Sequence, residues 1–286
     1  MNSEFKLRPL SYYLLWLLPK NLFSRLCGTI ANLELPPQML QVLIRAFIRA
    51  FKIDMSEYIK GVEEYRTFNE FFTRQLKPDA RTIDPRRDAL ISPVDGTIGE
   101  YGDIVQGILL QAKGITYTLS DLLNDHEKAR EYEGGKFMTI YLAPHNYHRI
   151  HSMADGEILH FTYIPGALWT VSAVGVKHIP GLFARNERII SYIQMKSGEC
   201  ALVKVGATIV GKIKVRYSEV ESNTPGVSPG SWKLNDPYPV RRGEELGLFE
   251  MGSTVVCLYK RDQIKWDNVY IGKTVRMGNV LGFFKQ

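Results

Sequence analysis

Gly252-Ser253 places a hydroxyl directly after a carbonyl that it can attack. Glycine tolerates backbone conformations that other residues avoid, so the chain can bend there to bring the two groups together. Attack would exchange an amide for an ester and open a route to self-cleavage. The triplet Gly252-Ser253-Thr254 equally suits a bulge or turn with a capping hydroxyl. Other residues bear on the choice. Asp95 sits in the Gly turn Ser92-Pro93-Val94-Asp95-Gly96, and His145, His148 and His151 fall within seven residues. Histidine is the side chain best suited to moving protons near neutral pH. Asp95, His151 and Ser253 occur in an order compatible with an Asp–His–Ser relay. In such a relay the carboxylate holds the imidazole, the imidazole takes the Ser proton, and the oxygen attacks. It would serve an uncleaved serine hydrolase as well as a self-cleaving chain. The three histidines are also metal-type donors. On an extended run, however, side chains three apart point to opposite faces, and no acidic ligand is close in sequence, so no metal is expected.

These groups need a frame to hold them. Short apolar runs punctuated by Gly, Pro and Asp begin after about Tyr65. They include Ile98–Ile104, Gly107–Ala112, Lys136–Leu142, Glu157–Tyr163, Arg188–Gln194, Cys200–Val205, Thr208–Val215 and Glu245–Tyr259. Closely spaced strands with turn signals predict a mostly antiparallel β body. Gly252-Ser253 then marks a break within or between two strands. Phe68–Arg74 reads as a short helix and Ser120–Arg130 as another, with Ser120 as its cap. Ser222–Asp236, rich in Pro, Gly, Ser and Asn, reads as a mobile loop. The expected class is α+β, with amphipathic helices in residues 1–64 ahead of a β-rich catalytic domain, 65–286.

The net charge is +6, and nearly all of the excess lies at the front. Residues 1–53 hold Lys6, Arg8, Lys20, Arg25, Arg45, Arg49 and Lys52 against Glu4 and Glu34. That asymmetry points to an anionic partner. Tyr12–Leu18, with Trp16 and Leu17 at its centre, is dense in aromatics and leucine. It is too short to span a bilayer, which takes about 20 apolar residues, and it lacks a signal-peptide cleavage site. Pro36-Pro37 opens a helix over Gln38–Lys52. Gln38, Gln41, Arg45, Arg49 and Lys52 form one narrow polar stripe; Leu43, Phe47 and their neighbours form a wide apolar face. Such a helix can cap the enzyme body or lie in a lipid interface with its cations reaching head groups. The charge excess and the aromatics favour lipid. Nucleic acid is disfavoured, because the cations alternate with Leu and Phe and no binding motif is present. Three scattered cysteines without a CxxC indicate a reducing compartment rather than a disulfide framework.

Six blocks in order resemble the bacterial phosphatidylserine decarboxylases, pyruvoyl-dependent membrane enzymes of type I. They are Tyr65–Arg74, Ser92–Gly96, Tyr147–His151, Phe183–Arg188, Gly206–Gly211 and Gly252–Thr254. Met251 stands where that family usually has Leu, and His145-Asn146 where it usually has Arg-Asp. The resemblance implies that His151, oriented by Asp95, deprotonates Ser253. Cleavage between Gly252 and Ser253 would follow, giving a large chain (1–252) and a small chain (253–286) that begins with a pyruvoyl group made from Ser253. That pyruvoyl would be the covalent cofactor and the Schiff-base site for the serine head group, with His148 as proton donor to the carbon that loses CO2. The product would be phosphatidylethanolamine. It further implies a heterodimer of the two chains, with a dimer of these left open. The enzyme would be peripheral on the cytoplasmic face of the cell membrane, contacting phosphatidylserine and an anionic surface through Trp16, Leu17, Leu43, Phe47, Arg45 and Arg49. Arg185 and Arg188 can pair with nearby acids or meet the substrate phosphate or carboxylate.

Overall fold

Every residue from Ser253 to Tyr259 is buried, so this strand must lie inside a sheet covered on both faces. A computed structural model describes residues 19–112, 114–209, 211–250 and 253–285. Sixteen strands are present among them. The first eight are β1 (Ala89–Ile91), β2 (Gly96–Asp103), β3 (Ile108–Ala112), β4 (Ile115–Thr118), β5 (Lys136–Leu142), β6 (Arg149–His151), β7 (Gly156–Ile164) and β8 (Arg188–Met195). The rest are β9 (Gly198–Gly206), β10 (Lys212–Val215), β11 (Gly230–Val240), β12 (Glu245–Glu250), β13 (Ser253–Tyr259), β14 (Ile264–Trp266), β15 (Thr274–Val275) and β16 (Val280–Phe284). The largest sheet has eight strands in the order β11-β7-β8-β9-β13-β5-β2-β15, and its neighbours run antiparallel. Helices and antiparallel sheets together make the fold α+β.

Alternation along β13 splits its side chains between two cores. Val255, Cys257 and Tyr259 pack with Ile213, Phe249 and Ile150 of the small sheet β10-β12-β6. Val256 and Leu258 pack on the other face with Leu109, Leu119, Leu122 and Leu182. The chain therefore leaves one sheet at Glu250 and enters the other at Ser253, and the expected break lies at this crossing between layers.

Three expected elements are corrected. Ser120–Arg130 is two helices, Leu119–Leu123 and His126–Glu131, not one. Asn124 breaks it by adopting a left-handed conformation (φ 52°), and Asp125 then caps the second piece. Thr118, not Ser120, is the first cap, accepting the Asp121 N–H. The strand expected over Thr208–Val215 starts only at Lys212. Ser222–Asp236 is loop only in its first half. From Gly230 it is strand, because Gly230–Lys233 find partners along His160–Tyr163.

Helix α1 (Lys20–Ala31) was not anticipated; α2 (Pro37–Phe51) starts with Pro at its first turn, as expected. α1 is inverted relative to an ordinary surface helix. Its polar side chains face the protein: Asn21 donates to the Gly166 carbonyl (3.0 Å), Ser24 accepts the Ile209 N–H (3.1 Å) and Arg25 donates to Asn223 (3.1 Å). Its apolar side chains Leu22, Leu26 and Ile30 are all more than half exposed. The wide apolar face of α2 divides. Leu40 and Ile44 are buried with Tyr65 and Phe71, whereas Met39, Val42 and Leu43 are exposed. Phe47 turns to the body, 6.0 Å from Phe71 and 6.4 Å from Phe72, centroid to centroid. Arg45 pairs with Glu63 at 2.5 Å, and Arg49 is exposed. Tyr12–Leu18, with Trp16 and Leu17, lies outside the described residues. No helix among the described residues is long and apolar enough to cross a membrane.

One buried charge has no acidic partner in its cluster. Lys204 on β9 is fully buried, its Nζ bonded to Ser191, which bonds Tyr217, and to the Leu202 carbonyl at 3.2 Å. Burial pushes its pKa down to about 7. Below that pH both folded and unfolded chains carry the charge and the full burial cost applies. Between pH 7 and the unfolded value near 10.5 the folded chain binds fewer protons, so stability rises with pH. Lys204→Met should stabilise the protein at pH 7 by on the order of 3–5 kcal/mol and flatten that rise. Urea unfolding of a single-chain background at pH 7 and pH 10 measures both; equal stabilities at pH 7 would refute it.

Candidate active site

The site is built where β9, β13 and β5 end together. Ser253 opens β13 opposite Gly206 on one side and Leu142 on the other. It is fully buried, and its Oγ has no hydrogen-bond partner among the described residues. Gly252 and Met251 lie outside the described residues. Gly206 donates its N–H to the Glu187 carbonyl (2.8 Å), and its own carbonyl accepts from the Asn186 side chain (2.8 Å). Both groups point away from β13. The Gly206–Ser253 pair is therefore of the non-hydrogen-bonded kind, in which Cα atoms approach to about 4.5 Å. A Cβ on Gly206 would lie 2.8 Å from the Gly211 carbonyl and 3.0 Å from Leu168, so only glycine fits.

The block Phe183–Arg188 proves to be the clamp behind this pair. Asn186 accepts the Trp169 N–H (3.0 Å) and donates to the Trp169 carbonyl (2.8 Å) as well as to Gly206. Glu187 accepts from Tyr163 Oη (2.6 Å) and from the Asn223 N–H; burial raises its carboxyl pKa. The Arg188 guanidinium donates to the carbonyls of Leu122, Ala184, Asn186 and Asp121, which commits it to structure. Arg185 is exposed and borders an open cavity of about 660 Å³.

His145 and His148 come from the turn between β5 and β6, and His151 ends β6. Arg74, just after helix α3 (Phe68–Phe72), donates to the carbonyls of His145 (2.8 Å) and Asn146 (3.2 Å). Asn146 accepts the Ala143 N–H at 2.7 Å, so its amide closes the turn as a carboxylate would. His148 is fully buried, with its ring 4.2 Å from that of Phe72. Its Nδ1 lies 2.8 Å from the Asn146 carbonyl. A carbonyl only accepts, so Nδ1 carries the hydrogen and Nε2 holds the lone pair. Nε2 is buried and has no partner among the described residues. Burial pushes the His148 pKa down to about 3, with Arg74 nearby adding to the effect. His145 is exposed and lies against Phe51 at 6.2 Å. Among the described residues no group of three His, Cys, Asp or Glu side chains is placed to hold a metal ion.

Asp95 and His151 are neighbours, since the His151 N–H donates to the Pro93 carbonyl at 2.8 Å. Their side chains have other partners. Asp95 accepts from Arg81 (3.0 Å) and from the Met277 N–H (2.7 Å). His151 Nδ1 bonds the Gly243 carbonyl (2.8 Å), and Nε2 bonds Tyr147 Oη (2.9 Å). None of the described hydrogen bonds joins His151 to Asp95 or to Ser253. Burial lowers the His151 pKa, against which the charges of Glu245 and Asp95 work. Sequence reasoning gave no role to Tyr147, Asn186 or Gly243. Tyr147 and Asn186 stand inside blocks it singled out, but nothing local reveals their partners.

Among the described residues the Ser253 hydroxyl and the Nε2 of His148 are both buried without a hydrogen-bond partner. Comparison with known proteins shows the family. A family model described as phosphatidylserine decarboxylase matches residues 68–283. The chain is 42% identical over 271 residues to a phosphatidylserine decarboxylase proenzyme of Myxococcus xanthus, covering 94% of this chain and 96% of the relative. A proenzyme of the same description from Brevibacillus brevis is 42% identical over 267 residues, 92% of this chain and 94% of that one. One from Alteromonas mediterranea is 40% identical over 266 residues, 91% and 82%. A match of this identity, spread over nearly the whole of both chains and taking in every strand of the site, means that this protein belongs to the phosphatidylserine decarboxylase family.

Proposed function

We propose that this chain converts phosphatidylserine to phosphatidylethanolamine and CO2 after cutting itself between Gly252 and Ser253. The observation that carries the reading is the buried Ser253 Oγ at the head of the central strand, without a partner among the described residues. In the maturation step His151 takes the Ser253 hydroxyl proton and Oγ attacks the Gly252 carbonyl carbon. The C–N bond breaks, the amine gains a proton and an ester remains. Loss of the Cα proton expels the Gly252 carboxylate. The dehydroalanine left at position 253 takes up water and releases ammonia. The pyruvoyl group so formed supplies a ketone that captures the substrate amine and accepts the electrons freed when CO2 leaves. His148 handles the proton. Held neutral by burial, Nε2 first accepts one as the substrate ammonium is deprotonated, then returns it to the carbon that lost CO2. Near-closure of the site excludes water.

The remaining parts follow the same reading. The two chains, 1–252 and 253–286, stay together because β13 lies between β9 and β5 of the large chain. The helical region 1–64 associates with an anionic membrane, and the β-rich domain 65–286 carries the chemistry. Outward-facing Leu22, Leu26, Ile30, Met39, Val42 and Leu43 suit a peripheral helix pair at the cytoplasmic face, with the acyl chains left in the bilayer. Three free cysteines among the described residues accord with that compartment. Intact-mass analysis of the active protein under denaturing conditions is expected to give two chains, the smaller starting at residue 253 and blocked by a carbonyl. CO2 release is expected from phosphatidylserine vesicles and not from free serine. An active, unmodified 286-residue chain would overturn the proposal.

A further inference from the structure

The hydrogen bonds of His151 fix its tautomer. The Gly243 carbonyl is only an acceptor, so Nδ1 carries the hydrogen and Nε2 the lone pair. Tyr147 Oη, 2.9 Å from Nε2, is therefore the donor. Both partners are held in place. Gly243 has φ +80°, and its N–H is bonded to the Ser152 carbonyl. Tyr147 is 2% exposed, with its ring 6.5 Å from that of Tyr58 and 5.5 Å from the imidazole.

We propose that Tyr147 is a positioning residue for maturation: its hydroxyl occupies the basic nitrogen of His151 and sets the pH at which that imidazole becomes free to take a proton. The inference rests on the reading of His151 as the maturation base. A neutral imidazole accepts this bond and an imidazolium cannot, so the bond favours the neutral form. It acts in the same direction as burial. Burial raises the Tyr147 phenol pKa, so the hydroxyl remains a donor throughout the working pH range. The charged groups around the imidazole are Asp95 and Glu245, which favour its cation, and Arg149, which opposes it. Arg81 and Lys77 line the 220 Å³ cavity that Tyr147 and His151 share. Replacing Tyr147 by Phe leaves all of these in place and removes one bond.

The test is Tyr147→Phe with two readouts. In a Ser253→Ala background, which has no nucleophile, NMR titration of the His151 ring should show its midpoint rising by about half a unit to one unit, the worth of one ordinary hydrogen bond. An unmoved midpoint overturns the inference. With Ser253 intact, chains made by cell-free translation and incubated across pH should cleave, with the acid limb of the rate moved upward by the same amount. Loss of cleavage in a chain that melts normally also overturns it, because Tyr147 would then pass the proton itself. His151→Gln separates the two readings. If that chain still cleaves, the base assignment falls while the titration result stands.

Discussion

Ser253→Ala is expected to remain one chain and to release no CO2 from phosphatidylserine. Alanine has no nucleophile for the Gly252 carbonyl, so neither the cut nor the ketone can form. Holding reacting groups in line can lower a barrier by about 7–11 kcal/mol, but only if the reacting oxygen exists. The variant should also fold at least as well as the parent precursor. Leaving a hydroxyl buried without a partner costs about 1–3 kcal/mol, and Ser253 Oγ is such a group. Its replacement by hydrogen removes the cost without opening a sizeable cavity. Inactivity together with an unchanged or raised melting temperature therefore separates lost chemistry from lost structure. Any appearance of a chain starting at residue 253 would refute the assignment of the nucleophile.

His148→Ala is expected to split the two reactions. Cleavage should persist at least in part, since the proposed maturation base is His151. Decarboxylation should fall about 100- to 10,000-fold, the usual contribution of a positioned acid–base group. His148 has the geometry for that task alone. Its Nδ1 is tied to the Asn146 carbonyl and its Nε2 is buried and unpartnered. Burial disfavours the His148 cation, so the imidazole is neutral before substrate arrives. It must collect a proton from the substrate before it can deliver one, and the acid limb of the activity profile should not follow its titration. Two chains by mass and strongly reduced CO2 release are the confirming pair. Normal decarboxylation would mean that the proton comes from elsewhere.

Local pattern carried the fold a long way. The short apolar runs Lys136–Leu142 and Cys200–Val205 located two strands that flank Ser253, and Pro36-Pro37 marked the start of α2. It failed where a single backbone conformation or a distant partner decides. Asn124 in the left-handed region splits a helix that the apolar pattern runs through. Ser222–Asp236 looks like loop by composition, and from Gly230 it becomes strand because β7 offers an edge. α1 escaped notice because its polar face is the buried one, the reverse of the pattern by which a surface helix is recognised.

The same division runs through the site. By itself the sequence determined which chemical groups exist and their order: a hydroxyl after a glycine carbonyl, a carboxylate in a turn, imidazoles three apart. It also placed the hydroxyl at a break within or between two strands, because periodicity is a local property. Only the tertiary structure decided what each group touches. Asp95 is taken by Arg81 and by Met277, 182 residues away. Gly243 and Tyr147 hold His151, and Asn186 braces the strand beside Ser253. Hydrogen bonds are short and directional, so the partner of a buried group is set by which distant segments pack within about 3 Å of it. No spacing along the chain encodes that distance.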